Sequence, residues 1–441
     1  MALKLHKAKE ILERNKRFIP GGVVSVNRAV EPPIVFVKGR GGHVWDADGN
    51  HYIDYHGAFG PFILGHNDPE VNASVEAVLR SGVTLMGSGT NPWEGELAEL
   101  ICRAVPSVEQ VQLTNSGSEA TYHALRLARA HTNRTDLIVI QGGYNGWHND
   151  VALNVMTPLS AIGPRVSPGE YARCPLSAGI PDSVLQHVYV VNFNDLDSVR
   201  YVAARHPIAA IILEPVLQNI GVVKPEPGYL AGLRKLADDF GFLLIFDEVK
   251  TGFRHALGGY QSICNVRPDL SVFGKAIANG YPMGAIGGRA DLMAYFTHPD
   301  QAKRVLIAGT YNAHPVTVAA AIATLKKLMA NGSEVFRHNE QLGQRMEAGL
   351  NEIFRAASRP AVVSRQSSAF CVYFMDHAPR DWHDLASHHD FALDSRYRLA
   401  LIERGIYHFP LATKQGSICF AHTEADIDQT LDITKEVVRA L

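Results

Sequence analysis

The sequence predicts an α/β protein with a large domain of doubly wound, mainly parallel sheet and a small α+β domain built from the N- and C-terminal segments. Three observations predict it. Between residues 61 and 312, short apolar β-runs alternate with longer stretches whose apolar residues recur every three or four positions, the texture of strands covered on both faces by crossover helices. On either side the texture changes, to short strands and tight turns before residue 60 and to a long amphipathic pattern with isolated strands after residue 313. Finally, 441 residues with 46% hydrophobic content are enough for two or three domains. The expected partition is 1–60, 61–312 and 313–441, with the first and last parts sharing the small domain.

In chain order, MALKLHKAKEILERNKRF has helical apolar spacing, and its charges break up any apolar region of a secretion signal. IVFV, HVWDAD and HYIDY then read as strands of an antiparallel meander, turning at GRGG and DGN. Central strands are expected at residues 111–113, 137–140, 188–191, 209–213, 243–246 and 271–273, and helices at 119–131, 229–240 and 316–329. Residues 150–183, rich in Pro, Gly and Ser, show no period, which predicts a lid or binding loop. Strands at 370–374 and 417–420 and a last helix capped by Thr423 and Asp426 complete the chain.

Composition narrows the function. With 42 basic and 44 acidic side chains and a net charge of -2, and with no long block of one sign, a nucleic-acid or polyanionic partner is not expected. No stretch approaches the roughly 20 apolar residues of a membrane span. Cys102, Cys174, Cys264, Cys371 and Cys419 are scattered and odd in number, which fits neither a disulfide framework nor a zinc knuckle and predicts a reducing cytoplasm. His383, His388 and His389 read as a solvated face, and no metal is predicted.

Three motifs carry chemistry. In TNSGSEA, residues 114–120, a strand gives way to a helix whose first N–H groups, with Ser116, Gly117 and Ser118, suit a phosphate. In LLIFDEVKTGFR, Asp247 ends a very apolar strand, where a buried carboxylate needs a cation such as a protonated pyridine nitrogen. In DLSVFGKAIANGYPMGAIGG, Lys275 follows another apolar strand among small residues, and desolvation there favours the neutral amine that attacks an aldehyde. Each alone also fits a bland reading: a capped helix, a structural ion pair, a lysine reaching for solvent. Nucleotide motifs do not compete, since no G-x-G-x-x-G sits at a strand–helix junction and Gly274–Lys275 continues with Ala276. Together, phosphate cradle, buried carboxylate and desolvated lysine are the fixed points of a pyridoxal 5'-phosphate (PLP) site.

These motifs, with PGGVVSVNRA, WDADGNHYIDY, ILEPVLQNIGVVKPEPGYLAGLRKLADDFG and AHTEADIDQTL, resemble the class III aminotransferases of PLP fold type I, and within them the glutamate-1-semialdehyde aminomutase branch. The resemblance implies that Lys275 carries PLP as a Schiff base, Asp247 pairs with the ring nitrogen, and Gly117 and Ser118 hold the phosphate beside Ser116. It implies that Tyr144 stacks on the ring, Val249 packs the other face, and Glu214 and Asn219 lie near the ring hydroxyl. Thr310 of AGTYNAHP matches a threonine that reaches the neighbouring subunit's cofactor phosphate, which implies a homodimer. Arg28 matches an arginine that grips a substrate carboxylate, and Phe59, Trp147, His148 and Lys414 are further candidate substrate contacts.

Three departures bear on the reaction. Asn145 stands where the resembling sequences usually carry His. Residues 150–183 form a segment longer than the mutase gating loop, and Lys414 replaces an acidic residue near the substrate. A cation at 414 favours acidic substrates and repels a diamine. The expected activity is therefore amino transfer between an amino acid or amine and a separate carbonyl acceptor, ahead of intramolecular aminomutation. Retention of Lys275, Asp247 and Tyr144 argues against a non-catalytic binding protein.

Overall fold

The computed structural model describes residues 3–84, 89–330 and 332–441. Its first helix, His6–Lys16, buries only Ala8, and its opening N–H groups are capped from a distance. Asp48 accepts from Lys7 N at 2.8 Å and from Ala8 N at 2.9 Å, so the DGN turn anchors the helix start. The expected helix opened at residue 1; residues 1 and 2 lie outside the described ones. The meander follows as β1 (Phe36–Arg40), β2 (His43–Asp46) and β3 (His51–Asp54). Asp46 closes its turn by accepting from Asn50 N at 2.8 Å and from the Tyr52 hydroxyl at 2.9 Å.

The chain divides into two units, a large one of Pro69–Phe336 with Pro379–His388 and a small one of Met1–Asp68, Arg337–Ala378 and His389–Leu441. The large unit is organised on β4 (Gln110–Thr114), β5 (Asp136–Ile140), β6 (Val188–Val191), β7 (Ile208–Leu213), β8 (Leu243–Asp247), β9 (Leu270–Gly274) and β10 (Gly284–Gly288), in the order β4-β10-β9-β8-β7-β5-β6. Strands β5 to β9 pair in parallel and are buried along their whole length, as their unbroken apolar runs predict.

Strand β10 was not expected. It runs antiparallel between β9 and β4, and its sequence, GAIGG, has little strand propensity. Packing explains the glycines: a Cβ on Gly284 would lie 2.5 Å from the Thr114 hydroxyl, and one on Gly287 would lie 2.6 Å from a Val108 methyl.

The expected boundaries at 60/61 and 312/313 fall instead at 68/69 and 336/337, and residues 379–388 return to the large unit. Helix Pro315–Ala330 packs against helices Pro69–Arg80 and Glu94–Ala104 and against the turn Lys275–Ala278, so it belongs with the sheet it covers.

Residues 150–183 are folded down rather than free. Val151 to Leu153 are buried, and Asn154 donates to Gln141 Oε1 at 3.0 Å and accepts from Cys174 N at 2.8 Å. Segment Pro379–His388 straps them in place. Arg165 makes a two-pronged ion pair with the fully buried Asp381, and the Trp382 indole donates to Thr157 O at 2.8 Å. Gly142 sits so close beneath the strap that a Cβ there would lie 2.6 Å from Trp382 Cβ.

In the small unit, β11 (Val362–Gln366), β12 (Ala369–Tyr373), β13 (Ile406–Tyr407) and β14 (Gly416–Ser417) complete two sheets, ordered β1-β2-β3-β13 and β11-β12-β14. The strand expected at 417–420 is thus two residues, Gly416–Ser417, where β14 pairs with β12. Their core gathers Ile53, Tyr55, Met346, Phe354, Val372 and Ile418 under the last helix, Glu424–Ala440. The expected capping box opens that helix: Asp426 N donates to Thr423 Oγ1 at 3.2 Å and Thr423 N to Asp426 Oδ2 at 2.8 Å. Among the described residues, no helix is long and apolar enough to cross a membrane.

Candidate active site

Loops leaving the C-terminal ends of β4, β5, β7, β8 and β9 meet at one edge of the large sheet, where open α/β sheets present their ligand-binding groups. After β4, Ser116 caps helix Gly117–Thr132 by accepting from Glu119 N at 3.3 Å. Glu119 Oε2 in turn accepts from Asn115 N at 2.7 Å. The first N–H groups of a helix have no carbonyl partner within it and carry positive partial charge, which suits an anion. Gly117 is required there, since a Cβ would lie 2.8 Å from a Val249 methyl.

The turn after β5 carries Tyr144, whose N–H donates to Glu214 Oε1 at 3.0 Å, while Gln218 N donates to Glu214 Oε2 at 3.0 Å. Burial at the end of β7 pushes the Glu214 carboxyl up to about 7; Lys250 opposes the shift and the charge of Asp247 adds to it. The Tyr144 phenol is pushed up by burial and by Asp247, against a hydrogen bond with Ser118.

Asp247, the last residue of β8, is 2% exposed. Its Oδ2 accepts from Asn145 Nδ2 at 2.8 Å and its Oδ1 from Val249 N at 3.0 Å. Burial lifts its pKa, while Asn145, Val249, Lys275 and Lys250 pull it back. Lys275 follows β9 at φ 49, a left-handed conformation uncommon for a side-chain-bearing residue. Burial, helped by the Arg254 guanidinium, holds its amine below the ordinary lysine range despite Asp247 and Glu214.

The residues present fit PLP on their own chemistry. A helix N-terminus with two serines suits a phosphate, a buried carboxylate with lone pairs left over suits a protonated ring nitrogen, and a desolvated amine suits an aldehyde. Ser116, Gly117, Ser118, Tyr144, Glu214, Asn219, Asp247, Val249 and Lys275 all lie on these loops of the large unit. Thr310 lies in an exposed turn of the same unit, held at Asn312, which accepts from Asn115 Nδ2 at 2.9 Å.

The expected substrate contacts fall in both units. Arg28 is exposed in the small unit's turn Val26–Arg28. Phe59, at φ 70, packs edge-on against His56 and tilts on Phe409, and Lys414 is half-buried beside β14. Trp147 is 67% exposed on the large unit. His148 is 6% exposed, and its Nε2 hydrogen-bonds Thr121 Oγ1 at 3.1 Å. Of the other histidines, His383 bonds Gly163 O, His388 pairs with Asp384, and His389 pairs with Asp394. Sequence reasoning passed over Lys250 and Arg254, whose signal was the crowding of charges at the end of an apolar strand.

Fold and site together define a PLP-dependent enzyme. The description "Aminotransferase class-III" matches residues 24–432, and the chain belongs to that family. Over 439 residues it is 39% identical to a glutamate-1-semialdehyde 2,1-aminomutase of Desulforudis audaxviator, covering 98% of each chain. Among solved structures it is similar to an omega-transaminase from Sphaerobacter thermophilus, with a TM-score of 0.90 and 31% identity over 98% of this chain and 97% of that one. A transaminase solved with PLP bound gives a TM-score of 0.87 and 28% identity over 100% of this chain and 99% of that one.

Proposed function

We propose that this class III enzyme is an intermolecular aminotransferase that moves an amino group between a carboxylate-bearing amino acid or amine and a separate carbonyl acceptor. PLP, when bound, withdraws the electrons left on the substrate carbon after its proton is removed. Lys275 would hold the cofactor and, as a free amine, would take and return that proton. Asp247 keeps a positive charge on the ring nitrogen, Tyr144 covers one ring face and Val249 the other. Ser116, Gly117 and Ser118 hold the phosphate, with Glu214 and Asn219 near the ring hydroxyl. Arg28 and Lys414 offer cations to the substrate's carboxylate and Phe59 an apolar contact, on the strength of the resemblance.

The observation that carries the intermolecular reading is the strap. An aminomutase must keep its half-converted substrate enclosed. Here the long segment after the Tyr144 turn is bonded to Asp381 through Arg165 and to Trp382 through Thr157 O, contacts that oppose its closing as a cover. The printed name of the relative from Desulforudis audaxviator favours the second reading, aminomutation. We place Thr310 at a neighbouring subunit's phosphate, which makes the working form a homodimer, and we place the enzyme in the cytoplasm.

The deciding experiment loads the purified protein with PLP and adds single amino acids or amines without an acceptor. Bleaching of the visible band with one equivalent of carbonyl product is expected. A stable band with every donor, together with isomerisation of glutamate 1-semialdehyde without added donor, establishes the mutase instead.

A further inference from the structure

Asp247 has four lone-pair positions, and two are taken within the chain: Asn145 Nδ2 at 2.8 Å on Oδ2 and Val249 N at 3.0 Å on Oδ1. Asn145 is itself held from behind, because its backbone carbonyl accepts from Thr121 Oγ1 at 2.6 Å on helix Gly117–Thr132. The threonine hydroxyl has one proton. Given to Asn145 O, it leaves Oγ1 to accept from the Nε2–H of His148 at 3.1 Å. Burial holds the His148 imidazole down to about 4, so this support is neutral at working pH. Asn145, Thr121 and His148 are all buried.

We infer that Asn145 is a positioning residue that fixes the Asp247 carboxylate as a neutral donor, with Thr121 and His148 bracing it, so that the full negative charge of Asp247 is presented to a cationic ring nitrogen. The inference rests on the reading of Asp247 as the partner of that nitrogen. An amide is suited to the task because it donates without carrying charge. A cationic donor at the same place would cancel part of the charge that Asp247 supplies, and a missing donor would leave the carboxylate free to rotate.

The test compares PLP affinity and the visible band across pH 6 to 9 in the wild type and in Asn145→Ala, Asn145→His, Thr121→Val and Asp247→Asn. The other groups that act on Asp247, namely Lys275, Lys250, Glu214 and Tyr144, are present in every variant, so differences between the Asn145 variants and the wild type isolate position 145. Asn145→Ala is expected to weaken PLP binding about tenfold or more at every pH, the weight of a hydrogen bond to a charged group. Asn145→His is expected to bind near the wild-type level at high pH and to lose affinity as pH falls and the imidazole takes up a proton, a step absent from the wild type. Thr121→Val keeps every cofactor-facing side chain and is expected to weaken binding a few-fold, which preserves the test should Asn145→Ala fail to fold. Wild-type affinity in both Asn145→Ala and Asn145→His, at all pH values, overturns the inference. If Asp247→Asn also binds with an unchanged band, the fault lies with the reading of Asp247; if Asp247→Asn alone is impaired, it lies with Asn145.

Discussion

Lys275 was legible because its environment is written in its neighbours: an apolar strand before it and small residues after it leave an amine poorly solvated wherever the turn leads. Replacement by Ala is expected to abolish the lysine-bound visible band and lower the half-reaction rate by at least about a hundredfold, the weight of a positioned proton-transfer group. A surviving band in spectral titration with PLP would remove Lys275 from the site. Glu214 titrates in the opposite sense from a salt-bridged acid. Its carboxyl rises from 4.5 to about 7 on folding, so the folded chain binds that proton more tightly than the unfolded one. Its contribution is complete below about pH 4.5 and declines as pH rises towards 7. Unfolding of the apoprotein should therefore show the stability of wild type falling relative to Glu214→Gln across that window; parallel curves would contradict the assignment. Asn145 and His148 could not be read this way. Their partners Asp247 and Thr121 are 102 and 27 positions away, and only the tertiary structure shows which side of the Tyr144 turn each faces.

Elements were legible where burial is two-sided or where a cap is spelled out, and illegible where close packing replaced side chains. The last helix is of the first kind: Thr423→Ala removes one half of its capping box and is expected to cost about 1 kcal/mol in denaturant unfolding. Strand β10 is of the second kind. Its glycines give no alternation because backbone and side-chain atoms packed against the strand occupy the space a Cβ would need. Helix Phe391–Ile402 carries a charge pair that apolar periodicity conceals. Asp394 accepts from Arg398 at 2.6 Å and from Thr413 N at 2.7 Å, with Asp394 fully buried and Arg398 4% exposed. Asp394→Asn leaves the guanidinium without its counter-charge and is expected to cost about 3–5 kcal/mol, whereas replacing both by apolar residues of similar volume should cost less. Equal losses in the single and double variants would show that the pair contributes through packing alone.

For the whole molecule, the division into units could not be taken from texture alone. The amphipathic run after residue 313 changes allegiance within a continuous stretch of helix, and ten residues near the C-terminus belong to the large unit. That short strap is testable. Asp381→Asn should expose residues 150–183 to limited proteolysis while leaving far-ultraviolet circular dichroism unchanged; an unaltered cleavage pattern would assign the hold to Trp382 and the buried residues 151–153 instead. The strap also sets an order of events during synthesis. A ribosome releases Tyr144, Asp247 and Lys275 long before it releases Asp381 and Trp382, so a nascent chain holding those three residues still lacks the piece that secures the segment behind Tyr144. A chain stopped short of residue 381 is therefore expected to leave that flank open to chaperones and proteases.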